Sequence, residues 1–191
     1  MLQVRPDNYV YRPAQRALHW VMAAIILAAI GLGLYAVALP KTDPSKAVAF
    51  FLHKSFGMTA LIIAIPRLLM RILKGAPPYR VPLGRLVMLS ASGGHAALYV
   101  LMLFVPIAGY VLSSAADRPI PWFGLFEFPH LVAPDKALAG VAEEAHVFAA
   151  WTLIVVVAVH ILAALWHAWF KKDEVMARMM PHMAKIPGER F

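Results

Sequence analysis

The sequence predicts an all-α integral membrane protein, a bundle of four transmembrane helices with both termini in the cytoplasm. Composition is the first reason. Of 191 residues, 61% are hydrophobic and only 15% charged, with a mean hydropathy of +0.68. A soluble domain is roughly half apolar and about a quarter charged. The second reason is that the excess is concentrated in four long blocks, near 17–39, 48–73, 86–112 and 141–170. Each exceeds the ~20 residues that cross a hydrocarbon layer as a helix. Backbone groups cannot stay unpaired in lipid, so such blocks must be helical. The first block is too long for a signal-peptide core, and the second still suffices despite Pro66, Arg67 and Arg71 near its end. The chain reads as a single membrane domain over 1–191, in contact with lipid.

The third observation is charge placement, which sets orientation. Arg5, Arg12 and Arg16 precede the first block, and Arg67, Arg71, Lys74, Arg80 and Arg85 surround the second connection. Lys171, Lys172, Arg178, Lys185 and Arg190 follow the last block, giving thirteen basic residues on one side against four acids. The other side holds Lys41, Lys46, Lys54, Arg118 and Lys136, with six acids. The positive-inside rule places the first set in the cytoplasm. Trp20, Trp122, Trp166 and Trp169 fall near the expected interfaces. The net charge of +8 is thus a topology signal and calls for no nucleic-acid partner. Zero cysteines exclude disulfides, thiolate-held zinc, cysteine-ligated iron–sulfur clusters and covalent c-type haem attachment.

Six of the eight histidines lie in or beside spans: His19, His53, His95, His146, His160 and His167. An ionisable group in a span is costly and usually functional. One such histidine is as readily a hydrogen-bonded structural residue; six over all four helices favour a cofactor. His146 and His160 are fourteen residues apart, close to four turns, so they share a helix face about 21 Å apart along the axis. His167 continues that stripe. Two ligands on one face at this separation suit two redox centres, one toward each membrane surface. With no cysteine, bis-histidine b-type haem is the natural occupant, because neutral imidazole ligates iron. Zinc prefers tight tetrahedral clusters. His53 and His146 agree in depth near the outer ends of their helices, and Gly57 would let a porphyrin lie close to the backbone. On the inner side, depth favours His95, beside Gly93 and Gly94, as the partner of His160, and spacing does not separate it decisively from His19.

Several stretches together resemble the bacterial cytochrome b561 family, which is related to the membrane cytochrome subunits of hydrogenases and formate dehydrogenases. They are Ala17-Leu-His-Trp20, His53-Lys-Ser-Phe-Gly57, Arg67-Leu-Leu-Met-Arg71 and Gly94-His95-Ala-Ala-Leu-Tyr99. Pro121-Trp-Phe-Gly124, Glu144-Ala-His146, Val159-His160, Trp166-His167 and Met179-Met-Pro181 follow in order. The resemblance implies two haem b groups, with His53 and His146 as axial ligands of one and His19 and His160 of the other. His95 and His167 then become quinone-site candidates or groups that hydrogen-bond a propionate or a backbone carbonyl. Arg16, Arg67 and Arg71 are candidates for neutralising propionates, beside their topological role. Pro121-Trp-Phe-Gly124 reads as outer-loop packing over the outer haem, and His130 and His182 as solvated surface residues.

The resemblance further implies a bacterial cytoplasmic-membrane protein that moves electrons between an outer-face donor and membrane quinone. Superoxide oxidation with ubiquinone reduction is one activity within that family. Lys41, Lys46 and Lys54 near His53 would attract a small anion. The alternative is an electron-transfer subunit docked to a hydrogenase or dehydrogenase partner. A haem-free histidine path for protons or metal is a third class, which a reduced-minus-oxidised spectrum separates from both.

Overall fold

A computed structural model describes residues 9–80 and 83–180. Arg5, Pro181, His182, Lys185 and Arg190 lie outside the described residues. Among the described residues, four helices are long and apolar enough to cross a membrane. They are α1 (Pro13–Ala38), α2 (Ser45–Lys74), α3 (Arg85–Ala115) and α4 (Lys136–Trp166), with a π-helical segment at His167–Lys171 continuing α4. The helices start ahead of the apolar blocks because local chemistry sets their ends. Pro13 occupies the first turn of α1, where its missing N–H costs nothing. Asp135 caps α4, its carboxylate accepting from the Ala137 and Leu138 amides at 2.8 and 3.1 Å. α2 ends at Gly75, whose φ of 66° suits glycine and whose amide donates to the Arg71 carbonyl.

The helices pack as two antiparallel hairpins. α1 lies against α2 and α3 against α4, and the hairpins meet along α2 and α3. Met22, Ala60, Ala64 and Met102 form the buried core cluster where α1, α2 and α3 meet, with Ile25, Ile26, Ile63, Tyr99 and Leu103 packed around it. Small residues at such crossings let helices approach closely in lipid, where dispersion replaces the hydrophobic drive. The outward faces carry exposed large apolar side chains, among them Val37, Ile72, Phe148, Val155 and Leu162. These faces are suited to acyl chains.

One end of the bundle is clasped by Arg178, which is only 3% exposed. Its guanidinium donates to the Tyr9 carbonyl at 3.2 Å and to the Pro77 carbonyl, and stacks 3.8 Å from the Tyr79 ring centre. Tyr11 returns a backbone bond to the Arg178 carbonyl at 3.1 Å. Gln15 donates to the Gly75 carbonyl at 3.1 Å. The lead into α1, the α2–α3 connection and the segment after α4 therefore meet at one end.

At the other end, β1 (Pro121–Trp122) and β2 (Phe126–Glu127) form a short antiparallel hairpin. Its turn places Phe123 and Gly124 at φ of 50° and 75°, the two positive values a type I′ turn demands. The fully buried Ser55 anchors it, its hydroxyl accepting from the Phe123 amide at 3.0 Å and lying 3.2 Å from the Pro121 carbonyl. Trp122 donates its indole N–H to Thr59 at 3.0 Å. The Pro121-Trp-Phe-Gly124 loop thus seats on the two turns of α2 that carry His53.

Candidate haem-binding cleft

Five of the six span histidines gather between the hairpins at two levels. At the level nearer the β1–β2 hairpin, the outer one in the expected orientation, the His53 ring on α2 faces the His146 ring on α4, with centres 6.0 Å apart. Near the clasped end, the His160 ring on α4 lies 6.2 Å from that of His19 on α1 and 5.5 Å from that of His95 on α3. His167 stands apart from both sets. It opens the π-helical segment, and its Nδ1 meets the Asp173 carboxylate at 2.5 Å.

Hydrogen bonds define which ring nitrogen is free. A carbonyl only accepts, so an imidazole nitrogen bonded to one must carry a proton. His53 Nδ1–H donates to the Ala29 carbonyl of α1 at 2.8 Å, and His146 Nδ1–H to the Val105 carbonyl of α3 at 2.9 Å. Each outer histidine is pinned to the backbone of its own hairpin and faces the opposite hairpin. Its Nε2 keeps the lone pair a metal requires. The inner set differs. His95 Nδ1–H donates to Ala91 in its own helix at 2.6 Å, whereas His19 Nδ1 accepts from the Arg67 guanidinium at 2.9 Å.

This donor set fits haem. Two imidazoles sharing one metal ion hold ring centres about 6 Å apart or slightly more, since each metal–nitrogen bond is about 2 Å. The 6.0 Å and 6.2 Å pairs meet that distance, and the 5.5 Å pair falls short. Adding a Cβ at Gly57, Gly93 or Gly94 would meet nothing within 4 Å, so the faces beside His53 and His95 are open. Arg16 Nε, Arg67 Nε and Arg71 Nη1 are buried without a hydrogen-bond partner. Buried guanidinium N–H groups call for acceptors, and carboxylates are the strongest available.

The remaining sequence candidates take definite places. Lys54 donates to the Pro119 carbonyl and Lys46 to the Leu39 carbonyl, each at 2.7 Å, so both ammonium groups also tether the chain at the hairpin end of the bundle. His130 lies 3.6 Å from the exposed Asp117 carboxylate on a loop. Sequence reasoning missed Gly33 and Gly109, whose missing side chains make room for the His53 and His146 rings. It also read Arg178 only as a topology charge, although its placement two residues before Met180-Pro181 gave no local sign of burial.

Spanning helices with imidazoles facing one another at two levels define a membrane haem protein of the electron-transfer class. The chain belongs to the prokaryotic cytochrome b561 family, whose model it matches over residues 10–182. It is 34% identical over 175 residues, 92% of each chain, to cytochrome b561 homolog 2 of Escherichia coli strain K12. It is 28% identical to the probable superoxide oxidase CybB of Yersinia pestis, over 90% of this chain and 96% of that one. Cytochrome b562 of Cereibacter sphaeroides is also 28% identical, over 89% and 94% of the two chains. The family binds b-type haem in a four-helix membrane bundle. The protein is accordingly a multi-pass electron-transfer cytochrome of the bacterial inner membrane.

Proposed function

We propose that the protein is a di-haem cytochrome that carries electrons between a donor at its outer face and membrane quinone at its cytoplasmic face. The observation that carries this reading is the presence of two imidazole sets on opposite stretches of α4, at His146 and His160. His53 and His146 would ligate one haem, and His19 and His160 the other. The 6.2 Å ring separation favours His19 over His95 as partner of His160, and in that role His19 would give up its bond from Arg67, because a neutral ring that accepts at Nδ1 carries its proton on Nε2. Arg16, Arg67 and Arg71 would hold propionates of the inner haem with their buried N–H groups. Haem, when bound, supplies one-electron redox chemistry at a potential set by ligands and surroundings.

The chain's own residues do the rest. α4 holds both levels in one rigid element, so the separation of the centres does not drift. The apolar layer of Met22, Ala60, Ala64 and Met102 excludes water from the bundle interior. At the outer end the side as a whole holds six acids against five basic residues, and Lys41, Lys46 and Lys54 form a local basic cluster near His53 that would favour a small anion there. Superoxide is the donor we favour, and the name of the Yersinia pestis relative supports that choice. At the inner end His95 and His167 are the candidates to hydrogen-bond the quinone headgroup. Their Nδ1–H groups are turned to Ala91 and Asp173, which leaves each Nε2 lone pair to accept from a ubiquinol hydroxyl.

The test is anaerobic stopped-flow absorbance of purified protein. Pulses of superoxide should reduce haem, and a soluble ubiquinone should re-oxidise it. Haem that ignores superoxide, together with co-purification of a large dehydrogenase or hydrogenase subunit, would replace this reading by that of an electron-transfer subunit.

A further inference from the structure

The outer histidines repeat one local device on two different helices. His53 donates to the carbonyl of Ala29, and four residues further along α1 stands Gly33. His146 donates to the carbonyl of Val105, and four residues further along α3 stands Gly109. In a helix, the amide four residues on is the one that bonds that same carbonyl. Each imidazole therefore approaches a helical carbonyl directly above its regular amide partner, where a side chain would normally project.

The space is available only because both residues lack a Cβ. A Cβ at Gly33 would stand 2.9 Å from Cε1 and Nδ1 of His53. One at Gly109 would stand 3.0 Å from Cε1 and Nδ1 of His146. A free ring could swing away from such a contact. A ring whose Nε2 is committed to a metal on the far side cannot. By contrast, a Cβ at Gly31, on the same helix, would meet nothing within 4 Å. The inner set does not share the device, since His95 bonds within its own helix and His19 meets Arg67.

We propose that Gly33 and Gly109 are positioning residues for the outer haem, keeping the Nδ1–H bonds of His53 and His146 to the Ala29 and Val105 carbonyls. The proposal rests on the reading of these two histidines as axial ligands. The carbonyl bond fixes ring rotation and makes the imidazole a stronger electron donor, which favours ferric iron. A methyl group at either glycine turns the ring off its carbonyl. The outer centre should then show a shifted low-spin signal and a higher midpoint potential, or lose its haem, while the inner centre keeps its own.

The experiment compares full-length Gly33→Ala, Gly109→Ala and Gly31→Ala proteins with the unmodified chain. The readouts are low-temperature EPR, potentiometric titration and haem content, and His53→Ala identifies which signal is the outer one. The expected result is a shift or loss of the outer signal in Gly33→Ala and, less severely, in Gly109→Ala, with Gly31→Ala unchanged. Wild-type signals and midpoints in both Gly33→Ala and Gly109→Ala would overturn the proposal while leaving the haem reading intact. If His53→Ala and His146→Ala removed different signals, the ligand reading would fall and the proposal with it. Should Gly33→Ala reduce yield, the His53→Ala/Gly33→Ala double variant decides. It should match His53→Ala in yield and inner-haem content, because the obstructed ring is gone. A further fall in the double variant would assign the glycine to backbone packing and overturn the proposal.

Discussion

An imidazole can serve a metal only if one nitrogen is free, and its other nitrogen reports which. At the outer level both rings donate Nδ1–H to carbonyls of a neighbouring helix, so both present Nε2. We expect His53→Ala and His146→Ala to lose the same haem, and His160→Ala to lose the other, as read by reduced-minus-oxidised spectra and haem content. At the inner level His19 and His95 compete. Ring separation favours His19, but its Nδ1 accepts from Arg67 and so places the ring proton on Nε2, whereas His95 donates Nδ1–H to a carbonyl as the outer pair does. Loss of an axial ligand leaves high-spin iron or an empty site, whereas loss of a hydrogen-bonding neighbour shifts potential. His19→Ala should therefore lose one low-spin EPR signal and His95→Ala should keep both. The reverse pattern would exchange their roles and remove His95 from the quinone candidates.

At the scale of elements, polar anchors decide what the apolar helices leave open. Ser55 has no exposure and ties the outer hairpin to α2 through the Phe123 amide. Ser55→Ala would strand that amide, at a cost of about 1–3 kcal/mol. Faster amide exchange around 121–127, with haem content unchanged, is the expected result. Arg178 joins three segments at the opposite end. Hydrogen bonds to charged groups contribute about 1.5–3 kcal/mol each. Arg178→Ala should thus lower the thermal midpoint and open the 75–80 connection to limited proteolysis. Arg178→Lys should rescue little, because an ammonium group cannot stack on Tyr79 while donating in two directions.

The whole molecule is two helical hairpins with histidines facing one another between them. Up-and-down topology brings the start of α1 and the end of α4 to the same end as the α2–α3 connection. With thirteen basic residues assigned to that side, it should face the cytoplasm. The chain has no cysteine, so single introduced thiols report topology cleanly. Asp43→Cys should react with a membrane-impermeant maleimide in intact spheroplasts, and Lys172→Cys only after permeabilisation. The pyridine haemochrome assay should give two haems per chain. One haem per chain would refute the di-haem reading.

The four helices were legible from composition and block length because the bilayer leaves an apolar segment only one way to satisfy its backbone. The two-level arrangement on α4 was legible too, since fourteen residues of helix return to the same face. Helix ends were less so: Pro13 and Asp135 extend α1 and α4 beyond their apolar blocks through caps that hydropathy does not register. What needed the tertiary structure was every relation between helices. Depth along a sequence carries errors of a turn or more, and it favoured His95 over His19 as the neighbour of His160. Folding brings both rings to His160, with centres 6.2 and 5.5 Å from it. Gly33 and Gly109 look like any other glycines in an apolar run. Their meaning appears only when a second helix places an imidazole against each, because a missing side chain matters only where something else fills the space. Arg178 likewise changes from a topology charge to a buried clasp once three distant segments converge on it, since satisfying five guanidinium N–H groups takes acceptors that no local stretch of chain provides.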